Sequence, residues 1–238
     1  GKVVGTPKED RTSPIVGHPD VRRMLLDMRS LTEAMRGICL MNAVAMDRAG
    51  SLADEDARQA AEDLNELLIP ITKAWCTDMG VEVTSLAIQV YGGMGFVEET
   101  GVSQFFRDAR IAPIYEGTNG IQAMDLVGRK LPMRSGGVVT DTIADIRATA
   151  AALSADDELA GIGARLAEAT DALDEATQWI FGHAGEIRDV LAGATPYLRM
   201  WGLVVGGWVL GKSALAAAEW AADDGPADFC AEKVRTAR

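Results

Sequence analysis

The segment Tyr115–Gln122, with the sequence YEGTNGIQ, places a carboxylate next to residues that favour the start of a helix. Asn119 is a good N-cap, and Gln122 resembles the glutamine of a capping box. Glu116 is then either an acid favoured by the helix dipole or a general base held beside backbone amides that could meet a flavin or a thioester. The local pattern leaves both interpretations open.

Two further segments carry weaker signals. The run Gln89–Phe96, QVYGGMGF, is typical of a glycine-capped helix end, because glycine adopts a positive φ at little cost. The same small residues would also let backbone amides approach a phosphate or a ribose closely. The run Phe106–Arg110, FRDAR, indicates a solvated helix end with cations near its C-terminus, and no chemistry is assigned to it.

The overall composition is that of a globular chain and excludes several classes of protein. Hydrophobic residues make up 48% of the 238 residues and charged residues 24%, with a net charge of −12. A chain this acidic lacks the excess of lysine and arginine that is typical of nucleic-acid-binding proteins. An anionic substrate would need positively charged residues placed locally at its binding site. Three widely spaced cysteines and two histidines predict no disulfide framework and no metal site, and they indicate a reducing, cytoplasmic compartment.

Hydrophobic periodicity predicts an all-α fold without strands. A helix is expected to begin near Pro19 and to end at Gly50. A second begins near Asp54, with Pro70 expected to kink or end it, and Gly80 is expected to open a short helix that closes after Tyr91. Further helices are predicted over about 100–110, 119–131, 139–154, 157–182 and 186–222.

These elements predict a helical bundle followed by a helical extension. Residues 1–18 form an extended leading segment, 19–131 the bundle, 132–138 a linker rich in proline, serine and glycine, and 139–238 the extension. The apolar run Leu203–Gly211 could be a membrane contact or a dimer seam with closely spaced glycines. It is too short to span a bilayer, and a buried soluble helix is favoured.

Taken together, the block QVYGGMGFVEETGVSQFFRDARIAPIYEGTNGIQ, from Gln89 to Gln122, resembles the C-terminal domain of acyl-CoA dehydrogenases. The resemblance extends back through HPDVRRMLLDMR to about residue 14 and forward to Leu131. The remainder is similar in character and length to the extra C-terminal helical domain of the larger branch of the family, whose members have roughly 600 residues. The chain therefore looks like a fragment without the family's N-terminal and middle domains.

The resemblance implies roles for particular residues. Glu116 matches the catalytic base, and Gly117 matches a position beside the bound thioester. Contacts with FAD are implied for Thr118, Asn119 and Gly120 and, across a dimer interface, for Gln89, Val90, Tyr91, Gly92 and Gly93. The sequence departs from the family pattern at two points. Lys2–Gly5 lacks the family's FAD-binding arginine, and Pro19 stands where a flavin-binding glutamine is common.

The resemblance also implies an activity. Family members dehydrogenate acyl-CoA to trans-2-enoyl-CoA with FAD and pass electrons to an electron-transfer flavoprotein, as homodimers or homotetramers. One alternative is an acyl-CoA oxidase, which returns electrons to oxygen; the intact YEGTNGIQ favours the dehydrogenase. Another is a non-catalytic helical oligomerisation module.

Overall fold

The computed structural model describes residues 13–238, which are helical apart from short connections and contain no strand. The prediction of an all-α fold is confirmed. Within residues 13–238, nine α-helices follow one another: α1 Pro19–Ser51, α2 Glu55–Tyr91, α3 Gly93–Phe96, α4 Val102–Ala109, α5 Asn119–Asp125, α6 Gly137–Ser154, α7 Ala160–Gly182, α8 Ile187–Asp223 and α9 Ala227–Ala237. Short 3-10 turns lie at Ile15–Gly17, Glu98–Thr100 and Met133–Gly136, and a π-turn at Leu126–Lys130.

Helices α1 and α2 form a long antiparallel hairpin. Pro19 occupies the first turn of α1, where its missing N–H costs nothing. The Asp54 side chain caps α2 by accepting from the Ala57 N–H at 2.8 Å. Midway along the seam the Asn42 amide donates to the Asn65 side chain at 2.7 Å, which fixes the register of the two helices.

Of the two outcomes expected at Pro70, a kink or an end, the end is wrong, and so is the prediction of a new helix at Gly80, because a single helix runs through both residues. Proline removes one backbone hydrogen bond, and glycine costs about 1 kcal/mol relative to alanine. Burial of Leu67, Ile71 and Trp75, each at most 2% exposed, outweighs these local costs.

Helix α8 lies in the core and joins the two predicted parts of the chain. Its Trp201 is fully buried, and its Trp208 indole donates to the Thr149 hydroxyl on α6 at 2.8 Å. The glycine at 202 allows α8 to approach the Trp75 ring on α2.

By length and composition alone, α8 is the single helix in residues 13–238 that could cross a membrane, but half of its apolar window is buried in the bundle. The apolar run at 203–211 thus lies in a packed core helix, as favoured from the sequence.

The predicted boundaries fall near the observed ones, with some differences. Helix α5 ends at Asp125 and continues as a π-turn rather than reaching 131 as an α-helix. Helix α9, which packs on α8 and α1, was not predicted as a separate helix. Of the predicted leading segment, Ile15–Gly17 form a 3-10 turn, whereas residues 1–12, including the departure at Lys2–Gly5, lie outside the described part. The proposed division into bundle, linker and extension stays a prediction, and one continuous core crosses it.

Candidate functional site

A tight turn connects α4 to α5 and carries Glu116. Hydrogen bonds close the turn from both sides: the Tyr115 N–H donates to the Ile111 carbonyl at 3.2 Å, and the Asn119 N–H donates to the Pro113 carbonyl at 3.1 Å. Between these bonds Glu116 has a φ of +53° and Gly117 a φ of +86°. A positive φ costs a non-glycine residue roughly 1–2 kcal/mol. Such strain persists only where the surroundings impose it, and it is concentrated at functional sites.

Two neighbouring residues anchor this turn. Thr118, rather than the predicted Asn119, is the N-cap of α5, and its hydroxyl accepts from the Ile121 N–H at 3.4 Å. Gln122 does not complete the expected capping box; its own N–H donates to the Thr118 carbonyl at 3.1 Å. Asn119 is displaced from the cap because its side chain is used elsewhere.

The Asn119 side chain binds helix α2. Its carbonyl oxygen accepts from the Lys73 ammonium at 2.9 Å, and its amide donates to the Ala74 carbonyl at 3.0 Å and to the Asp78 carboxylate at 2.7 Å. The Thr77 hydroxyl lies within hydrogen-bond distance of both ends of the amide. These bonds fasten α5, and with it the Glu116 turn, to α2. A contact between Asn119 and a cofactor would therefore use its backbone.

The turn presents a carboxylate and unpaired amides to solvent. Glu116 and Gly117 are exposed. Within residues 13–238 the backbone N–H groups of Glu116, Gly117 and Thr118 donate to no backbone carbonyl or side chain. A carboxylate and unused donors within three residues can act on one bound group, the carboxylate on a proton and an amide on an oxygen.

A cavity of about 450 Å³ lies between this turn and α2. Thr118, Asn119 and Gly120 form one wall, and Asp78 on α2 and Arg110 at the end of α4 form part of the rest. Arg110 has no ion-pair partner in the described part of the chain. No chemistry was predicted for Arg110 from the sequence, and neither Asp78 nor Lys73 was predicted to belong to the site. Arg110 was visible in the FRDAR run, whereas the α2 residues carry no local signal.

The second predicted segment lies elsewhere on α2. Gly92, with a φ of +62°, ends the helix as the glycine pattern indicated. From Asp78, beside the Glu116 turn, to Gln89 the helix rises about 17 Å, so the structure does not bring the two segments together within one chain. Gly95 is packed so closely on Ile88 that a Cβ would meet its carbonyl oxygen at 2.3 Å, which fixes the turn after α2.

Exposed large hydrophobic side chains are concentrated around these two segments. Phe96 is 82% exposed and Phe105 is 67% exposed. The full set, here called the apolar face, consists of Tyr91, Met94, Phe96, Phe105, Ile111, Ile114, Tyr115, Ile121 and Met124. Helices α3 and α4, which carry Phe96 and Phe105, contact each other. Contiguous exposed apolar side chains are typical of interfaces.

Known families match both parts of the chain. The family "Acyl-CoA dehydrogenase, C-terminal domain" matches residues 6–131, and the family "Acetyl-CoA dehydrogenase C-terminal like" matches residues 142–238. Among solved structures, the Caenorhabditis elegans protein ACDH-11, in complex with C11-CoA, is similar with a TM-score of 0.71. That similarity covers 92% of this chain and 36% of the other at 18% identity, and it shows the fold alone.

Curated relatives match with higher identity. The 3-methylmercaptopropionyl-CoA dehydrogenase of Ruegeria pomeroyi is 47% identical over 94% of this chain and 38% of its own length. A butyryl-CoA dehydrogenase of Syntrophomonas wolfei is 39% identical over 56% of this chain and 22% of its own. The chain thus spans well under half of the length of these relatives. With one family matching more than half of its residues, the chain belongs to the acyl-CoA dehydrogenase family.

Proposed function

We propose that this chain supplies the catalytic base and part of the cofactor and substrate sites of an enzyme that dehydrogenates acyl-CoA thioesters to trans-2-enoyl-CoA. The observation that carries the proposal is the Glu116 turn, which holds an exposed carboxylate and unpaired amides in a strained conformation. Family membership supports the reaction class. Electron-transfer flavoprotein is the acceptor that we propose, because the relatives of this chain are named dehydrogenases.

The turn supplies two of the elements that α-proton removal needs. The α-proton of a thioester is weakly acidic, and removing it leaves negative charge on the thioester oxygen. The Glu116 carboxylate takes the proton, while the Glu116 N–H, which has no partner in residues 13–238, donates to that oxygen. Since both groups belong to one residue, fixing the turn places both of them beside the same bound thioester.

The cavity beside the turn has groups that could hold the phosphates of an anionic cofactor. The Arg110 guanidinium and the Thr118 hydroxyl can bind phosphate oxygens, and at Gly120 a Cβ would meet only Thr118, so the backbone is open to close approach. Members of this family are generally FAD-binding flavoproteins. We assign Arg110, Thr118 and Gly120 to FAD, and Gln89–Gly93 to the FAD of a second subunit. The chemistry that FAD supplies when bound is acceptance of the hydride from the β-carbon.

For the substrate we propose a short acyl-CoA of the 3-methylmercaptopropionyl type. The Ruegeria pomeroyi relative with that name aligns with 94% of the chain, including the C-terminal extension, whereas the butyryl-CoA dehydrogenase aligns with 56%. Because the alignment with the Ruegeria pomeroyi relative covers both the bundle and the C-terminal extension, it favours a thioether acyl-CoA over a general short-chain acyl-CoA.

The substrate proposal predicts a ranking of flavin reduction rates. The full-length protein that contains this chain is mixed anaerobically with 3-methylmercaptopropionyl-CoA, butyryl-CoA or palmitoyl-CoA, and the bleaching of the flavin band is followed. We expect the second-order rate constant of flavin reduction to be at least about 10-fold higher for the first than for palmitoyl-CoA, because single methylenes discriminate by roughly 1–3 kcal/mol.

Faster bleaching by palmitoyl-CoA or by butyryl-CoA than by 3-methylmercaptopropionyl-CoA would overturn the substrate proposal but not the reaction. A protein without flavin, or one that no acyl-CoA bleaches, would overturn both. Rapid hydrogen peroxide production in air would identify an oxidase instead.

The apolar face predicts self-association of the chain. The family is typically oligomeric, and Phe96 and Phe105 are the most exposed aromatic side chains in residues 13–238. Replacing both with serine should weaken self-association at least about 10-fold, since buried aromatic side chains carry much of the binding energy of interfaces. Sedimentation velocity measures the dissociation constant.

The matched control is Ile187→Ser, which removes a side chain of 54% exposure at the start of α8, outside the apolar face. It should leave the dissociation constant unchanged. A wild-type chain that stays monomeric at micromolar concentrations, or an effect of Ile187→Ser as large as that of the double variant, would contradict the prediction.

A further inference from the structure

Two of the three cysteines lie on facing helices of the α1–α2 hairpin. Cys39 is on α1 and Cys76 is on α2, and neither takes part in the Glu116 turn or the cavity beside it. The third, Cys230, is on α9 and is buried. A family assignment alone gives the two facing thiols no role.

The Cys76 thiol is directed at the segment of α1 that carries Cys39. The Cys76 thiol points at α1, where its Sγ lies 3.9 Å from the Met35 carbonyl oxygen, one turn before Cys39. Met35, Cys39 and Asn42 have the i, i+4, i+7 spacing of a single helix face, and Asn42 binds α2 through Asn65. Each Cα–Cβ bond tilts towards the N-terminus of its own helix, and because the helices are antiparallel the two side chains lean towards each other.

The two thiols differ in exposure and in reactivity. Cys39 is exposed, whereas Cys76 is half-buried in the seam. Burial raises the pKa of the Cys76 thiol well above its usual range, and the neighbouring Cys39 raises it further. Since the thiolate is the reactive form, an oxidant from solvent reacts first at Cys39.

We propose that Cys39 and Cys76 form a redox-active dithiol that closes to an interhelical disulfide when hydrogen peroxide oxidises it. The Cys39 thiolate attacks one peroxide oxygen, the O–O bond breaks, and water leaves after protonation, which gives a sulfenic acid on Cys39. The Cys76 sulfur then attacks the Cys39 sulfur. The S–S bond forms, the S–O bond breaks, and the hydroxide leaves as water with the proton of Cys76. Two thiols are oxidised, and one peroxide is reduced to two waters.

The seam favours closure over further oxidation. The second thiol is already held beside the first, so that closure is an intramolecular step.

The test is peptide mapping of the full-length protein that contains this chain after treatment with hydrogen peroxide. Trypsin separates the three cysteines into the peptides Gly37–Arg48, Ala74–Arg107 and Ser213–Lys233. We expect the first two to be joined, with a mass about 2 Da below their sum, and to separate again with dithiothreitol. The Ser213–Lys233 peptide should stay unmodified, because Cys230 is 2% exposed.

Cys39→Ser, a change at an exposed position, should abolish the joined peptide without disturbing the fold. Three outcomes would overturn the proposal: Cys39 oxidised to a sulfinic acid while Cys76 remains a thiol, Cys39 joined to Cys39 of a second chain, or no change at either cysteine. Circular dichroism of Cys39→Ser, compared with the wild type, shows whether the hairpin is intact.

Discussion

Replacing Glu116 with glutamine is expected to reduce kcat by roughly 10²–10⁴-fold in the full-length protein that contains this chain, the range typical of a positioned general base. Glutamine keeps the size of the side chain and the backbone N–H but cannot accept the α-proton at neutral pH. Because the turn is fixed by Thr118 and Asn119 rather than by the Glu116 side chain, its geometry should persist. Flavin content and the Kd for acyl-CoA should therefore change little, and the loss should appear in the reductive step.

The matched control is Glu99→Gln, which removes one exposed carboxylate from the 3-10 turn before α4 and leaves the Glu116 turn unchanged. It should leave the rate of flavin bleaching unchanged. If Glu116→Gln bleaches the flavin at close to the wild-type rate, the base lies in another segment of the enzyme. If instead the flavin is lost, Glu116 supports cofactor binding rather than proton transfer.

A third variant separates the carboxylate from the conformation of the turn. Glu116→Gly removes the side chain and relieves the cost of the positive φ, which is roughly 1–2 kcal/mol for a non-glycine residue. It should be as inactive as Glu116→Gln and no less stable to heat. A conformation that costs stability at Glu116 while serving the reaction is the relation expected of a functional site.

The Glu116 segment illustrates what the sequence could and could not predict. The order Tyr115-Glu116-Gly117-Thr118 drew attention to Glu116, because a carboxylate before a helix start is a local pattern, but that pattern left a helix-dipole acid and a general base open. The resemblance to a known family, rather than the local pattern, implied the role of base. The positive φ of Glu116 could not be foreseen, since glutamate has no intrinsic preference for it. The N-cap moved from Asn119 to Thr118 because Asn119 binds residues more than 40 positions earlier on α2.

Helix α2 illustrates the same limit at the level of the fold. Pro70 is a local signal for a kink or an end of the helix, and Gly80 is a local signal for the start of a new one. The helix is held instead by the burial of Leu67, Ile71 and Trp75 against α1 and α8, which depends on residues far away in the sequence. Tertiary packing overrides intrinsic propensity wherever the buried face is long enough.

Substitution of Gly202 with alanine is expected to be the most damaging small change in the core. A Cβ at this position would lie 2.0 Å from Cγ of Trp75 and 2.6 Å from its Cβ, far inside van der Waals contact. The tryptophan is 2% exposed and α8 is packed on several sides, so neither can yield without opening the core. We expect a loss of roughly 3 kcal/mol or more in the free energy of unfolding, at or above the upper end of overpacking effects.

For a chain of this size that loss corresponds to a fall in Tm of roughly 6–12 °C, measured by calorimetry or circular dichroism. The matched control is Gly207→Ala on the same helix, where the nearest atom, Cδ1 of Leu166, would be at an ordinary 3.6 Å. Because alanine favours a helix over glycine by about 1 kcal/mol, this control should hold or raise Tm. Equal effects of the two variants would mean that α8 does not approach Trp75 as described. A fall in Tm for Gly202→Ala together with a rise for Gly207→Ala would show that close packing, rather than helix propensity, makes glycine necessary at position 202.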